Sequence, residues 1–154
     1  MIKFVLLSWV CTFLLNLSIE AQQKSEIKKE NPEPLAHKIV DPFTASIKRG
    51  LVVYKKECLS CHQEDGSGVP RMAPTLIRSR WVLGGKFELI KLVLNGSNTN
   101  LTPDGEPYHI PMAPQNHLTD RQIADVLTYI RNGFGNKVVA VNAAEVKAAR
   151  TTIK

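Results

Sequence analysis

Apolar residues recur at helical spacing in three stretches of the chain. Ile47, Leu51, Tyr54 and Cys58 lie four, three and four residues apart, which puts them on one face of a helix. Asp41 followed by Pro42 is a helix start: a capping carboxylate, then a residue whose fixed φ suits the first turn. Thr44 is a second candidate cap. Phe87, Leu89, Ile90, Val93 and Leu94 predict a helix over 86–94, closed by Asn95-Gly96. Ile123, Val126, Leu127 and Ile130 form the stripe of a third helix, with Tyr129 near its edge. Thr119 and Gln122 have the capping-box spacing, Asp120 complements the helix dipole, and Gly133 ends the helix. Asn142 to Glu145 start one more short helix, to about Arg150. Val138, Val139 and Val141 come nearest to a strand pattern. The expectation is an all-α fold of three to five helices.

The segments between are irregular. Gly66, Gly68 and Pro70 break the chain after residue 62, and residues 97–111 form a long loop with three prolines. A loop of that length is uncommon unless functional. Ahead of the helices, Lys3 precedes an apolar run from Phe4 to Leu17 that is too short for a comfortable membrane span. With Ile19-Glu20-Ala21 as a cleavage site, residues 1–21 read as a signal peptide. The alternative is an uncleaved N-terminal anchor, with the domain facing the periplasm. Residues 22–40 are rich in Lys, Glu and Pro and read as a flexible arm. Residues 41–154 are then the folded domain, with a short C-terminal helical extension.

Charge narrows the partners. The net charge is +6, and losing residues 1–21 removes one Lys and one Glu, so it is unchanged. A moderate basic excess suits an acidic protein partner or offsets bound carboxylates. The positive residues are scattered, without aromatic interleaving, which disfavours nucleic acid.

The chemistry is concentrated in Cys58-Leu59-Ser60-Cys61-His62. Cys-x-x-Cys-His is the attachment pattern for c-type haem: two thiols add to the haem vinyl groups and the imidazole binds iron. A zinc site needs four ligands, and the only other cysteine is Cys11 in the leader. A thioredoxin-type pair needs a βαβ context that is absent from the pattern. A bare disulfide leaves His62 without a role. Iron held by one His needs a sixth ligand or keeps an open site, and the choice decides function. The candidates are Met72, His109, Met112 and His117. Met112 is preferred. It lies fifty residues after His62, far enough for the chain to return on the other haem face, and Pro111 and Pro114 restrict its backbone. Met72 is only ten residues away and reads as packing. A thioether ligand favours ferrous iron and closes the coordination sphere, which suits electron transfer.

With these residues in place, the chain from Thr44 to Gly135 resembles a class I monohaem cytochrome c. The resemblance rests on Cys58-x-x-Cys61-His62, on Met112 before a final helix, and on Gly50-x-x-x-Tyr54. It implies one covalent haem c. It also implies that Gly50 and its aromatic pack across the last core helix, with Tyr129 as counterpart, and that the Pro74 carbonyl accepts the His62 Nδ1 proton. The run from Gly105 through Tyr108 and Met112 to Asn132 is similar to cytochrome domains associated with quinoprotein dehydrogenases. Met112-Ala113-Pro114 departs from the many relatives with Pro directly after Met.

The function implied is an exported one-electron carrier and not an enzyme, with His62 and Met112 as axial ligands. Its partners are redox proteins, such as a quinoprotein dehydrogenase or a terminal oxidase or reductase. Two other readings stay open: a dedicated subunit of a dehydrogenase or reductase complex, and a haem sensor or enzyme with a labile sixth site.

Overall fold

The computed structural model describes residues 41–97 and 107–152. The leader, the arm and residues 98–106 of the long loop lie outside the described residues. Six helical segments follow in order: α1 Pro42–Glu57, α2 Leu59–His62, α3 Arg80–Leu83, α4 Lys86–Asn95, α5 Asp120–Asn132 and α6 Ala143–Thr152. α2 and α3 are single turns, so four longer helices meet the all-α expectation. Among the described residues the one extended pairing is an isolated bridge between Val69 and Ala73. The valines at 138, 139 and 141 form no strand.

α1 starts where the Asp-Pro pair predicts. The Asp41 carboxylate accepts from the Thr44 backbone N–H at 3.0 Å, closing one of the amides that a helix start leaves open. Thr44 is therefore inside the helix, and its hydroxyl donates to the same carboxylate at 3.2 Å.

α1 crosses α5 at Gly50. A Cβ there would fall 2.1 Å from the Asp125 carbonyl oxygen and 2.7 Å from Tyr129 Cβ, so only glycine permits the approach. Beside the crossing, the rings of Tyr54, Tyr129 and Phe134 form a triangle with centroids 5.3–5.6 Å apart, the spacing at which tilted and edge-on rings attract. The Tyr54 hydroxyl donates to the Gln63 carbonyl at 2.6 Å, tying α1 to the residue after His62. A charged clip lies near the same crossing. Asp125, 5% exposed, accepts from Arg49 Nε at 2.6 Å, Arg49 Nη2 at 2.8 Å and Ser46 Oγ at 2.6 Å.

The core gathers Val82, Leu89, Ile90, Leu94, Ile123, Val126, Leu127, Ile130, Val146 and Ala149. Phe87 departs from the predicted stripe: it is 43% exposed, with the Lys91 ammonium 5.5 Å from its ring centroid. Ile47 and Leu51 are only half-buried.

After α5 the chain folds back. Asn136, 2% exposed, donates to the Leu76 and Ile130 carbonyls at 3.0 Å each and accepts from the Arg78 N–H at 2.9 Å. Arg131 is buried, and among the described residues no carboxylate is bonded to it. Its guanidinium donates to the carbonyls of Val139 at 2.9 Å, Val82 at 2.6 Å and Gly84 at 3.1 Å, which shares the charge among three dipoles. Asn142 and Glu145 cap α6 reciprocally, each accepting from the other's backbone N–H. No described helix is long and apolar enough to cross a membrane.

Candidate functional site

The end of α1 and the whole of α2 place the Cys-x-x-Cys-His residues. Cys58 ends α1 and caps α2, and its carbonyl accepts from the His62 N–H at 2.9 Å. The single turn therefore brings Cys58, Cys61 and His62 to one surface. All three line a cavity of about 350 Å³ whose walls are mostly apolar. Further wall comes from Pro74 and Leu76, from Trp81 and Val82 of α3, from Leu89 and Val93 of α4, and from Val126, Leu127 and Ile130 of α5. Met112 lines the same cavity.

His62 has one defined partner. Its Nδ1 lies 3.0 Å from the Pro74 carbonyl oxygen. A carbonyl only accepts, so Nδ1 carries the proton and Nε2 keeps its lone pair. Burial lowers the His62 pKa, and the Pro74 carbonyl partly opposes this, so the ring is neutral at neutral pH. Cys58 is in a different state. Burial, with the charges of Glu57 and Cys61 behind it, pushes its thiol up to about 12. A neutral sulfur suits this apolar wall, and thioether formation keeps it neutral. The thiolate that zinc or disulfide exchange needs is disfavoured there. Cys58 and Cys61 are not bonded to each other. Among the described residues no cluster of three or more His, Cys, Asp and Glu could hold a bare metal ion.

Met112 is set by the end of α4. Its carbonyl accepts from the Ser97 N–H at 3.0 Å, and its N–H donates to Ser97 Oγ at 3.2 Å. Gly96 makes this approach possible: it has φ +69°, and a Cβ there would lie 2.2 Å from the Met112 carbonyl oxygen. Gln115 N–H donates to the Val93 carbonyl at 2.9 Å and fixes the chain three residues on.

The other ligand candidates separate. Met72 also lines the cavity, although it is 50% exposed. His109 and His117 are exposed and do not line it. His117 Nε2 lies 3.5 Å from the Glu57 carboxylate instead.

The cavity fits a haem by its chemistry. It offers apolar walls, two cysteine sulfurs, one oriented imidazole and the thioethers of Met112 and Met72. Two buried side-chain polar atoms among the described residues have no partner, Trp81 Nε1 and Gln115 Oε1, and both residues line this cavity. An indole N–H left open in such a wall suits a carboxylate of the kind haem propionates carry. The Arg80 guanidinium sits 5.9 Å from the Trp81 ring centroid and adds positive charge nearby. The sequence reading missed α3, the turn that brings Trp81 and Val82 to the wall. Only four residues are helical there, and Ser79 at the N-cap makes no side-chain capping bond, so the local signal is weak.

Comparisons with known proteins agree with this geometry. Residues 47–133 match the family described as cytochrome c. The chain is 32% identical over 105 residues to the cytochrome c subunit of a quinone alcohol dehydrogenase from Gluconobacter oxydans (strain 621H), a match covering 67% of this chain and 22% of that subunit. It is 37% identical over 108 residues to the cytochrome c subunit of gluconate 2-dehydrogenase from Pantoea cypripedii, covering 66% of this chain and 24% of that subunit. It is 31% identical over 91 residues to cytochrome c-552 from Thermus thermophilus, covering 56% of this chain and 69% of that protein. The match thus spans less than a quarter of the length of these two dehydrogenase subunits.

Proposed function

Because the chain belongs to the cytochrome c family, with its covalently bound haem c, we propose that it is an exported one-electron carrier with His62 and Met112 as axial ligands. The haem, once bound, supplies the couple between ferric and ferrous iron. The chain's own residues do the rest. Cys58 and Cys61 hold the group through thioethers. His62, its Nδ1 proton engaged by Pro74, presents Nε2. Met112 supplies a soft sulfur that stabilises the ferrous state. Val82, Leu89, Val93 and Leu127 line the cavity and would give the haem an apolar, low-dielectric surrounding, one of the protein's levers on its potential.

One observation carries the reading. Cys58, Cys61, His62, Pro74 and Met112 share a single apolar cavity, and the imidazole is fixed with its iron-binding nitrogen free. The test is a redox titration of the purified holoprotein, with a pyridine haemochrome spectrum. A c-type spectrum and one reversible one-electron wave are expected. A haem that acid acetone extracts defeats the attachment reading. Rapid carbon monoxide binding to the ferrous protein at neutral pH favours a labile sixth site instead.

A second reading concerns the partner. The similarity to cytochrome c subunits of quinone alcohol dehydrogenase and gluconate 2-dehydrogenase favours a dehydrogenase as electron donor. Co-purification with a larger catalytic protein supports a dedicated subunit, and its absence favours a free shuttle. Residues 1–21 as a leader agree with export. The mature N-terminus of protein recovered from the periplasm tests cleavage.

A further inference from the structure

The family match ends at residue 133, yet the chain continues into a segment that packs back on α5 and α4. Its last helix, α6, packs on α5 and α4 and carries Arg150. Arg150 makes three contacts with a part of the chain distant in sequence. Nε donates to Asp120 Oδ1 at 2.6 Å, Nη1 donates to the Asn116 carbonyl at 3.1 Å, and Nη2 donates to the Leu118 carbonyl.

Those carbonyls lie on the short stretch that joins Met112 to α5. Its other backbone holds are nearer to Met112. Ser97 holds Met112, the Val93 carbonyl holds Gln115, and Leu118 N–H turns back to the Gln115 carbonyl at 3.2 Å. Ala113, Pro114, Asn116 and His117 are exposed. Ahead of Met112, Ile110 and Pro111 are exposed as well. At the far end the buried Leu118 side chain and the His117–Glu57 contact hold the stretch from within, and Arg150 ties its backbone carbonyls to α6. A guanidinium spans two carbonyls and one carboxylate because its N–H groups form a rigid planar fork, which no other side chain reproduces.

We propose that Arg150 is a positioning residue: from a helix outside the family match it clamps the Met112 stretch and sets how readily the Met112 sulfur leaves iron. Thioether release requires the 112–118 stretch to swing away from the cavity. That swing breaks the contacts of Arg150 with Asn116 and Leu118. The clamp therefore slows loss of the sixth ligand while leaving the ligand set unchanged. This inference rests on Met112 being the sixth ligand.

The experiment measures imidazole binding to the ferric holoprotein by stopped flow, since imidazole enters only when the thioether leaves. Arg150→Gln is expected to keep the red thioether-to-iron band at rest and to bind imidazole about tenfold faster than wild type. Lys86→Met is the control. Lys86 pairs with Glu145 and donates to the Ala140 carbonyl, so this variant loosens the start of α6 without touching the Met112 stretch. It is expected to lower the unfolding midpoint and leave the imidazole rate at the wild-type value. Should Arg150→Gln yield no holoprotein, Arg150→Lys carries the same comparison with a smaller acceleration. An unchanged rate in the Arg150 variant, or equal acceleration in both variants, overturns the clamp. Met112→Ala separates the two claims. If it keeps the red band, the ligand reading falls and the clamp with it. If it loses the band while Arg150→Gln exchanges at the wild-type rate, the clamp alone falls.

Discussion

His62 Nδ1 and the carbonyl oxygen of Pro74 lie 3.0 Å apart, and this contact settles which imidazole nitrogen is free. A backbone acceptor is a durable device for the purpose, because no side-chain substitution at position 74 removes it directly. It depends on where residues 69–78 run. The Val69–Ala73 bridge, the Leu76 N–H bonded to the Gly66 carbonyl at 2.8 Å, and Asn136 fix that path.

Asn136→Ala is therefore expected to cost about 2–4 kcal/mol. It leaves the Leu76 and Ile130 carbonyls and the Arg78 N–H short of a partner around a side chain that is itself buried. Denaturant unfolding of the holoprotein measures it. A loss of about 0.5 kcal/mol or less, the level of an ordinary surface change, contradicts the role.

Gly50→Ala is expected to destabilise by about 1–3 kcal/mol, towards the upper end, because the new methyl meets rigid backbone of α5 rather than a yielding side chain. Thermal unfolding checks it. A neutral result means that α1 and α5 separate at little cost.

Asp125 makes acid stability testable. Burial alone raises its pKa, but hydrogen bonds from Arg49 and Ser46 outweigh that and hold it below the ordinary carboxylate value. A carboxyl with a depressed folded-state pKa stabilises fully above its unfolded value of about 3.9, and the benefit is lost as pH falls through the folded value. Asp125→Asn is expected to be less stable at pH 7 by about 1–3 kcal/mol, and the gap to wild type narrows below about pH 4. A gap that stays constant into acid contradicts the assignment.

The thioethers are counted by single substitutions. Cys58→Ala and Cys61→Ala each leave one link, so haem stays attached and its pyridine haemochrome band shifts red with one vinyl restored. The double variant releases its haem to acid acetone. Retention by the double variant places attachment elsewhere.

The parts that could be read in the sequence are those with strong local signals. The Asp41-Pro42 start, the Thr119–Gln122 capping box and the α5 stripe need only neighbours in the chain, and each forms as read. The pentapeptide from Cys58 to His62 carries its chemistry in its spacing. What escaped depends on distant partners. Arg131 and Asn136 look like ordinary polar residues, yet both are buried because backbone carbonyls from α3 and the 76–78 segment meet them. Phe87 sits at an apolar position of its helix, but among the described residues no element covers it, and it is left exposed. Arg150 belongs to a short helix whose sequence gives no sign of the loop that it holds.

The central claim is that the iron lies between His62 and Met112. Met112 and Met72 both line the cavity, so a paired substitution decides between them. The measurement is the red thioether-to-iron absorption band of the ferric holoprotein in Met112→Ala and Met72→Ala. The account predicts loss of the band in the first variant and retention in the second. A band that survives Met112→Ala, or that vanishes with Met72→Ala, contradicts it.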